Sequence, residues 1–252
     1  MTYMSSKPKY GKEIDDDRWG CKYVEVISHE NIKKFRLCHV VVSDILKIAE
    51  ELSSTVLDTS WMTNLDEGTR RSYRYTASQT AESLVKVFSE VSKSIKTEAV
   101  GVGAEFGELM VSIGSAKALE SIFSHQIIPV AELWKPQVKG NEGFDFHTVS
   151  GDKVVNFGEA KFSTLSTPHG NAIGQIRRFI DEEKTIRDRN HLVNFVSKEA
   201  IQNLDDEKFG VVVAFSMNVK TPLTAFNNAL ISVKEKFALG EVDCAYIVGV
   251  SN

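Results

Sequence analysis

Apolar positions along the chain follow two rhythms, one of period two and one of period 3.6. Residues 22–27 and 36–43 are short, apolar and rich in β-branched side chains, as strands are. Asp44 then stands where a helix N-cap belongs, and Ile45, Ile48, Ala49 and Leu52 recur at helical spacing through about Leu57. Residues 59–77 read as irregular, and helical spacing returns over 78–96 with Leu84, Val85, Phe88, Val91 and Ile95. A glycine-punctuated stretch, Gly101-Val-Gly-Ala-Glu-Phe-Gly-Glu, opens a helix that ends near Phe123. Downstream, 127–133 is a short strand candidate and 141–162 a hairpin around Ser150-Gly151-Asp152. A helix over 171–190, a buried strand over 210–216, a helix over 223–237 and a last strand over 244–250 complete the pattern. The polar first twenty residues, with Asp15-Asp16-Asp17, read as a loose arm.

This order predicts an α/β protein with an N-terminal α/β region over 1–97. Residues 98–252 form a second region reading αβββαβαβ, a mixed sheet flanked by helices. Composition acts by exclusion. With 42% hydrophobic and 25% charged residues in 252, the chain is an ordinary globular one and not a disordered tail. No apolar run approaches the roughly 18 residues that would span a bilayer, and the N-terminus lacks the apolar core of a signal peptide, so a cytoplasmic protein without membrane partners is expected. Cys21, Cys38 and Cys244 form no metal spacing and are expected as reduced thiols. The net charge of −4 disfavours a nucleic-acid-coating protein but permits an enzyme with a local basic patch.

Candidate chemistry gathers in Gly143-Phe-Asp-Phe-His and Val154-Val-Asn-Phe-Gly-Glu-Ala-Lys-Phe. Alternation along a strand puts Glu159 and Lys161 on one face with Val155 and Phe157. Charges following two hydrophobes on an inward face are costly unless paired or bound to a metal. Gly158 and Ala160, on the other face, leave room for a helix to pack closely. A hairpin loop of two residues would pair Asp145 with Gly158 and turn it away. A three-residue loop, Gly151 to Lys153, with Gly151 in the left-handed region, or a bulge, pairs Asp145 with Glu159. Asp145, Glu159 and Lys161 then converge: two carboxylates to hold Mg²⁺ (or Mn²⁺) and an ammonium to steady charge on a scissile phosphate. On the upstream helix Glu108 is the first choice for a further acid and Glu105, one turn away, the second.

The Asp…Glu-x-Lys pattern in this element order resembles the PD-(D/E)XK nuclease superfamily, whose core is a mixed sheet flanked by helices. Phe-Gly-Glu opening a helix, Gly-Phe-Asp before a turn and Phe-Gly-Glu-Ala-Lys-Phe are further similar to HamA, the nuclease-subunit family of Hachiman anti-phage systems. That likeness covers residues 100–190. It implies Glu108, Asp145, Glu159 and Lys161 as a metal-dependent nuclease centre, with Glu108, Asp145 and Glu159 on the metal. It also implies DNA as substrate and a helicase partner (HamB-like) that licenses cleavage. Arg177, Arg178, Lys184 and Arg187 are candidate contacts to the DNA backbone, and Gln175 resembles a supporting residue beside the lysine.

Blander readings accompany these. Glu159 and Lys161 could form an exposed ion pair of little worth, and His147 could be a structural histidine. Arg70-Arg71-Ser-Tyr73-Arg74-Tyr75 could track a nucleic acid, form a protein interface or simply be a solvated loop or strand. Gly101-x-Gly103-x-x-x-Gly107 with Glu132 near a strand end is close to a dinucleotide fingerprint. Its spacing is one residue too long, and the expected preceding strand, 96–100, is barely apolar. An oxidoreductase-type domain is therefore an alternative, as is a non-catalytic scaffold subunit of a DNA-processing complex.

Overall fold

A computed structural model describes residues 8–28, 34–96, 103–135, 143–237 and 240–252. Eight strands form one mixed sheet in the order β1-β2-β3-β8-β7-β6-β5-β4. They are β1 (Lys9–Asp16), β2 (Cys21–Ile27), β3 (Phe35–Val42), β4 (Gln126–Ile127), β5 (Phe146–Val149), β6 (Val155–Lys161), β7 (Phe209–Ser216) and β8 (Ala245–Ser251). The helices are α1 (Ile45–Leu57), α2 (Glu67–Lys96), α3 (Ala104–Phe123), α4 (His169–Asp181), α5 (Lys184–Leu192), α6 (Lys198–Asp205) and α7 (Pro222–Lys236). The protein is thus mixed α/β, as the patterning predicts. β3 pairs in parallel with β8, so strands on either side of residue 97 share one sheet.

The two faces of the sheet are covered differently. Ala160, Val212, Ala214, Val248 and Val250 face α3, which α1 and α2 overlie. Buried on nearly every side, α3 is accordingly apolar all round, with Phe106, Val111, Ala118 and Leu119 fully enclosed. The opposite face, with Val155, Phe157, Val211, Val213 and Phe215, is covered by α4 and α7. α4 buries Ala172, Ile173, Ile176 and Phe179 along one stripe. Each of the larger three contributes roughly 1.5–3 kcal/mol by leaving water. No helix among the described residues is long and apolar enough to cross a membrane.

Asp44 caps α1 as expected, accepting hydrogen bonds from the backbone N–H groups of Leu46 and Lys47 at 3.0 and 3.2 Å. Five expectations need correction. The helix expected over 171–190 is two, α4 and α5, because the chain turns at Glu183, whose φ is 54°. The loose arm contains β1, antiparallel to β2; its polar sequence lacks an alternating apolar face because it is a charged edge strand. The irregular 59–77 stretch holds a 3₁₀ turn at Ser60–Met62 and the first turns of α2. Asp66 accepts from the Thr69 N–H at 3.0 Å there, and Arg71 pairs with Glu67 at 2.7 Å. Such a solvated helix start carries caps and ion pairs instead of an apolar stripe. The strand expected at 127–133 is only two residues long, since Pro129 has no N–H to give a ladder, and Ala131–Leu133 is a 3₁₀ turn. The room beside Gly158 is taken not by a helix but by the Phe146 ring, 2.4 Å from where a Cβ would stand.

Candidate active site

The hairpin register decides which side chains meet. Phe146 pairs with Gly158 and Val149 with Val155, so Asp145 lies opposite Glu159. The loop that sets this is the three-residue one. The Ser150 N–H donates to the Val154 carbonyl at 3.0 Å and the Lys153 N–H to the Ser150 carbonyl at 3.0 Å. The left-handed residue is Lys153, with φ of 59°, and not Gly151 as expected. A type I turn followed by a left-handed residue closes such loops, and the third position carries the positive φ.

Glu159 sits within β6, between β5 and β7, with no exposed side-chain surface. Lys161, two residues on and one-fifth exposed, donates to Glu159 Oε1 at 2.7 Å. This is a buried pair on an inner strand and not a solvated edge pair. The Asp145 carboxylate turns onto the same strand and accepts from the Ala160 N–H at 2.8 Å. Glu108 enters from α3. Gly107 makes that approach possible, because a Cβ there would stand 2.3 Å from the Phe162 ring at the end of β6. The exposed Glu108 interacts electrostatically with Asp145, Glu159 and Lys161. Glu105, also exposed, lies one turn earlier on α3.

A fourth carboxylate, Glu132 in the 3₁₀ turn, was expected only as a ribose ligand of the alternative reading. The turn is fastened to the site by the Ala131 N–H, which donates to the Asp145 carbonyl at 3.2 Å. Lys135 then reaches the Phe144 carbonyl at 2.8 Å and Asp188 at 2.7 Å. His147 Nε2 lies 2.8 Å from that same Asp188 oxygen, and the ring is fully buried. The signal for Glu132 was present in the sequence. An acid inside the apolar run from Ile127 to Trp134 breaks the same burial rule that singled out Glu159.

Burial and crowding set the protonation of the cluster. Desolvation first, and then the Asp145 and Glu108 charges, push Glu132 up to about 8. Asp145 is raised to about 6 by burial and, less strongly, by Glu108, against the opposing pull of the Ala160 N–H and Lys161. Glu159 is held well above the ordinary carboxylate range by burial and by Asp145. Burial works against the Lys161 ammonium, but the charges of Glu159, Asp145 and Glu108 outweigh it and raise the amine. Groups this strongly perturbed mark candidate functional sites.

The donor set suits a hard divalent cation, since Glu132 Oε2 and Glu159 Oε2 are buried oxygens with no hydrogen-bond donor. Among the described residues, however, no three His, Cys, Asp or Glu side chains are already arranged to hold a metal ion. Lys161 and the Ala160 N–H occupy one oxygen each of Glu159 and Asp145 instead. A cleft of about 500 Å³ lies elsewhere, lined by Trp61, Met62, Arg70 and Arg74. The chemistry is nevertheless concentrated at the carboxylates, where Glu108 and Lys161 reach solvent.

The candidate DNA contacts separate. Arg177 is tied to Asp181 at 2.6 Å and to Glu241, and Lys184 is buried against the Phe179 ring. Arg178 lies over the Phe179 ring, Arg187 is exposed, and Gln175 is half-buried on α4. Tyr73 of the aromatic–basic segment is buried, with its hydroxyl 3.0 Å from His191 Nδ1, whereas Tyr75 is exposed. Of the glycine fingerprint, Gly101 lies outside the described residues, as do 97–100 of its expected strand, and Lys96 closes α2. The chain matches no protein-family model, no curated protein and no solved structure in the comparisons made.

Proposed function

We propose that the protein is a metal-dependent nuclease of the PD-(D/E)XK type. More particularly, we read it as a HamA-like effector subunit that hydrolyses DNA phosphodiesters in an anti-phage complex with a helicase. One observation carries this reading: the odd-length hairpin loop sets Asp145 opposite Glu159, two residues before Lys161 and beside Glu108. A scaffold would gain nothing from burying mutually repelling carboxylates, which cost stability unless a ligand compensates them.

In this reading Asp145, Glu159 and Glu108 would hold Mg²⁺ or Mn²⁺, which would acidify a water and neutralise phosphate charge. Lys161 leaves Glu159 Oε1 and directs its ammonium at the phosphate, where it steadies the negative charge that develops. The Ala160 N–H keeps Asp145 oriented through the carboxylate oxygen it already holds. The net charge of −4 fits substrate delivered by a partner instead of captured from solution.

The test is incubation of the purified chain with plasmid and linear DNA, with and without Mg²⁺, alone and with the product of its genomic neighbour. Mg²⁺-dependent nicking or linearisation is expected, abolished by Lys161→Ala with folding intact. Wild-type rates in that variant would reject the assignment.

A further inference from the structure

We propose that the cleft between α1 and the first half of α2 is a site for a small apolar molecule carrying one anionic group, a carboxylate or a phosphate monoester. It shares no residue with the carboxylate cluster, so the inference stands apart from the nuclease reading.

Three observations carry it. The cleft encloses about 500 Å³, within the roughly 300–1,000 Å³ that small-molecule sites occupy, and its floor is already built. Val56, Met62, Ala77 and Ala81 line it and belong to the buried core, so the space needs no rearrangement to form. The two alanines, one turn apart on the same face of α2, leave room that longer side chains would fill.

Next, the same lining holds N–H groups without acceptors. Trp61 Nε1 and Arg70 Nε are buried with no hydrogen-bond partner among the described residues, and both side chains line the cleft. Unpaired buried donors are costly, and neither side chain can accept, so the group they lack is an acceptor. The Trp61 ring packs on Tyr73 and Phe195, with centroids 5.9 and 5.7 Å away, which fixes the direction of its N–H. Arg74, one turn from Arg70 and exposed, adds a second guanidinium to the lining. Its electrostatic neighbour Glu67 is already paired with Arg70 and Arg71. Guanidinium groups match the oxygens of a carboxylate or phosphate.

Finally, the lining limits the charge of the ligand. Asp58 and Glu82 equal Arg70 and Arg74 in number, so a polyanion finds no continuous cationic track here. Tyr73 is turned inward onto His191, which leaves Tyr75 alone of that segment's tyrosines for stacking. One anionic group on an apolar body fits this lining, and a nucleic-acid strand does not.

The probe is anilinonaphthalene sulfonate, an aromatic body with one sulfonate, titrated into the full chain and followed by its fluorescence. Saturable binding at a single site is expected. Arg74→Met should weaken it on the order of tenfold, as loss of a charge-assisted hydrogen bond does. Trp61→Phe, which keeps a ring and removes the N–H, should weaken it several-fold. Ser78→Trp, at an exposed position of the lining, should close the cleft and abolish binding with the circular dichroism spectrum unchanged. Displacement by indole acetate or by a nucleoside monophosphate tells which anion the site takes. Wild-type affinity in both Arg74→Met and Ser78→Trp seats the probe elsewhere and overturns the site. Equal affinity for uncharged phenylnaphthylamine overturns the anionic requirement. Displacement by a thymidine oligonucleotide where neither small anion competes makes the face a nucleic-acid surface and overturns the proposal.

Discussion

Replacing Glu132 by glutamine should stabilise the metal-free protein, by an amount that grows with pH. In the fold this carboxyl titrates at about 8 against an ordinary value of 4.5, raised by burial and by Asp145. Below pH 4.5 it is protonated in both folded and unfolded chains and costs nothing. Between 4.5 and 8 the unfolded chain releases the proton while the fold retains it, so stability falls as pH rises. At about 1.4 kcal/mol for each pH unit, the wild type gives up about 3 kcal/mol by pH 7. A neutral isostere with an amide to donate to its neighbours avoids that loss. In a chain of this size the difference is roughly 10 °C in melting temperature. Thermal unfolding followed by circular dichroism in chelator-treated buffers from pH 4 to pH 8 measures it. The two proteins should melt together at pH 4 and diverge steadily above pH 5. A variant that melts at or below the wild type throughout would mean that Glu132 is ionised and well paired in the fold, which refutes the reasoning.

Three further outcomes test the framework around the site. Gly107→Ala should cost about 1–3 kcal/mol and lower cleavage activity, because its methyl group meets the Phe162 ring and displaces the turn carrying Glu108; chemical denaturation and DNA nicking read the two effects. Asp188→Asn removes a carboxylate shared by Lys135 and His147, leaving a partly buried ammonium unpaired, and should destabilise by roughly 3 kcal/mol at pH 7. Burial opposes ionisation of Asp188, yet His147 and Lys135 hold it below its ordinary value, so the penalty should shrink as the wild type is acidified toward pH 3. Lys153→Gly should stabilise by about 0.5–1 kcal/mol by relieving a left-handed lysine, while Gly151→Ala, whose methyl meets nothing within 4 Å, should not destabilise. Equal responses at the two positions would contradict the loop geometry.

Much of the architecture was legible because its signals are local. Helix α1 announces itself by Asp44 and a regular apolar stripe, and β7 and β8 by unbroken apolar runs buried on both faces. The charged edge strand β1 and the solvated start of α2 were illegible for the complementary reason: their stability comes from pairing and capping, not from an apolar period. Within the site, strand alternation alone put Glu159 and Lys161 together, and the sequence limited Asp145 to two registers without choosing between them.

That choice belonged to the tertiary structure. Loop length and the backbone angle of Lys153 determine whether Asp145 faces Glu159, and neither follows from residue type when a glycine stands nearby to suggest a different turn. Glu132 likewise joins the cluster only because a proline-broken strand and the Lys135–Asp188 ion pair fold its turn onto Asp145. The chain by itself determined which residues were too polar for their surroundings. Which of them became neighbours depended on contacts between segments distant in sequence, since electrostatic coupling follows distance in space and not position along the chain.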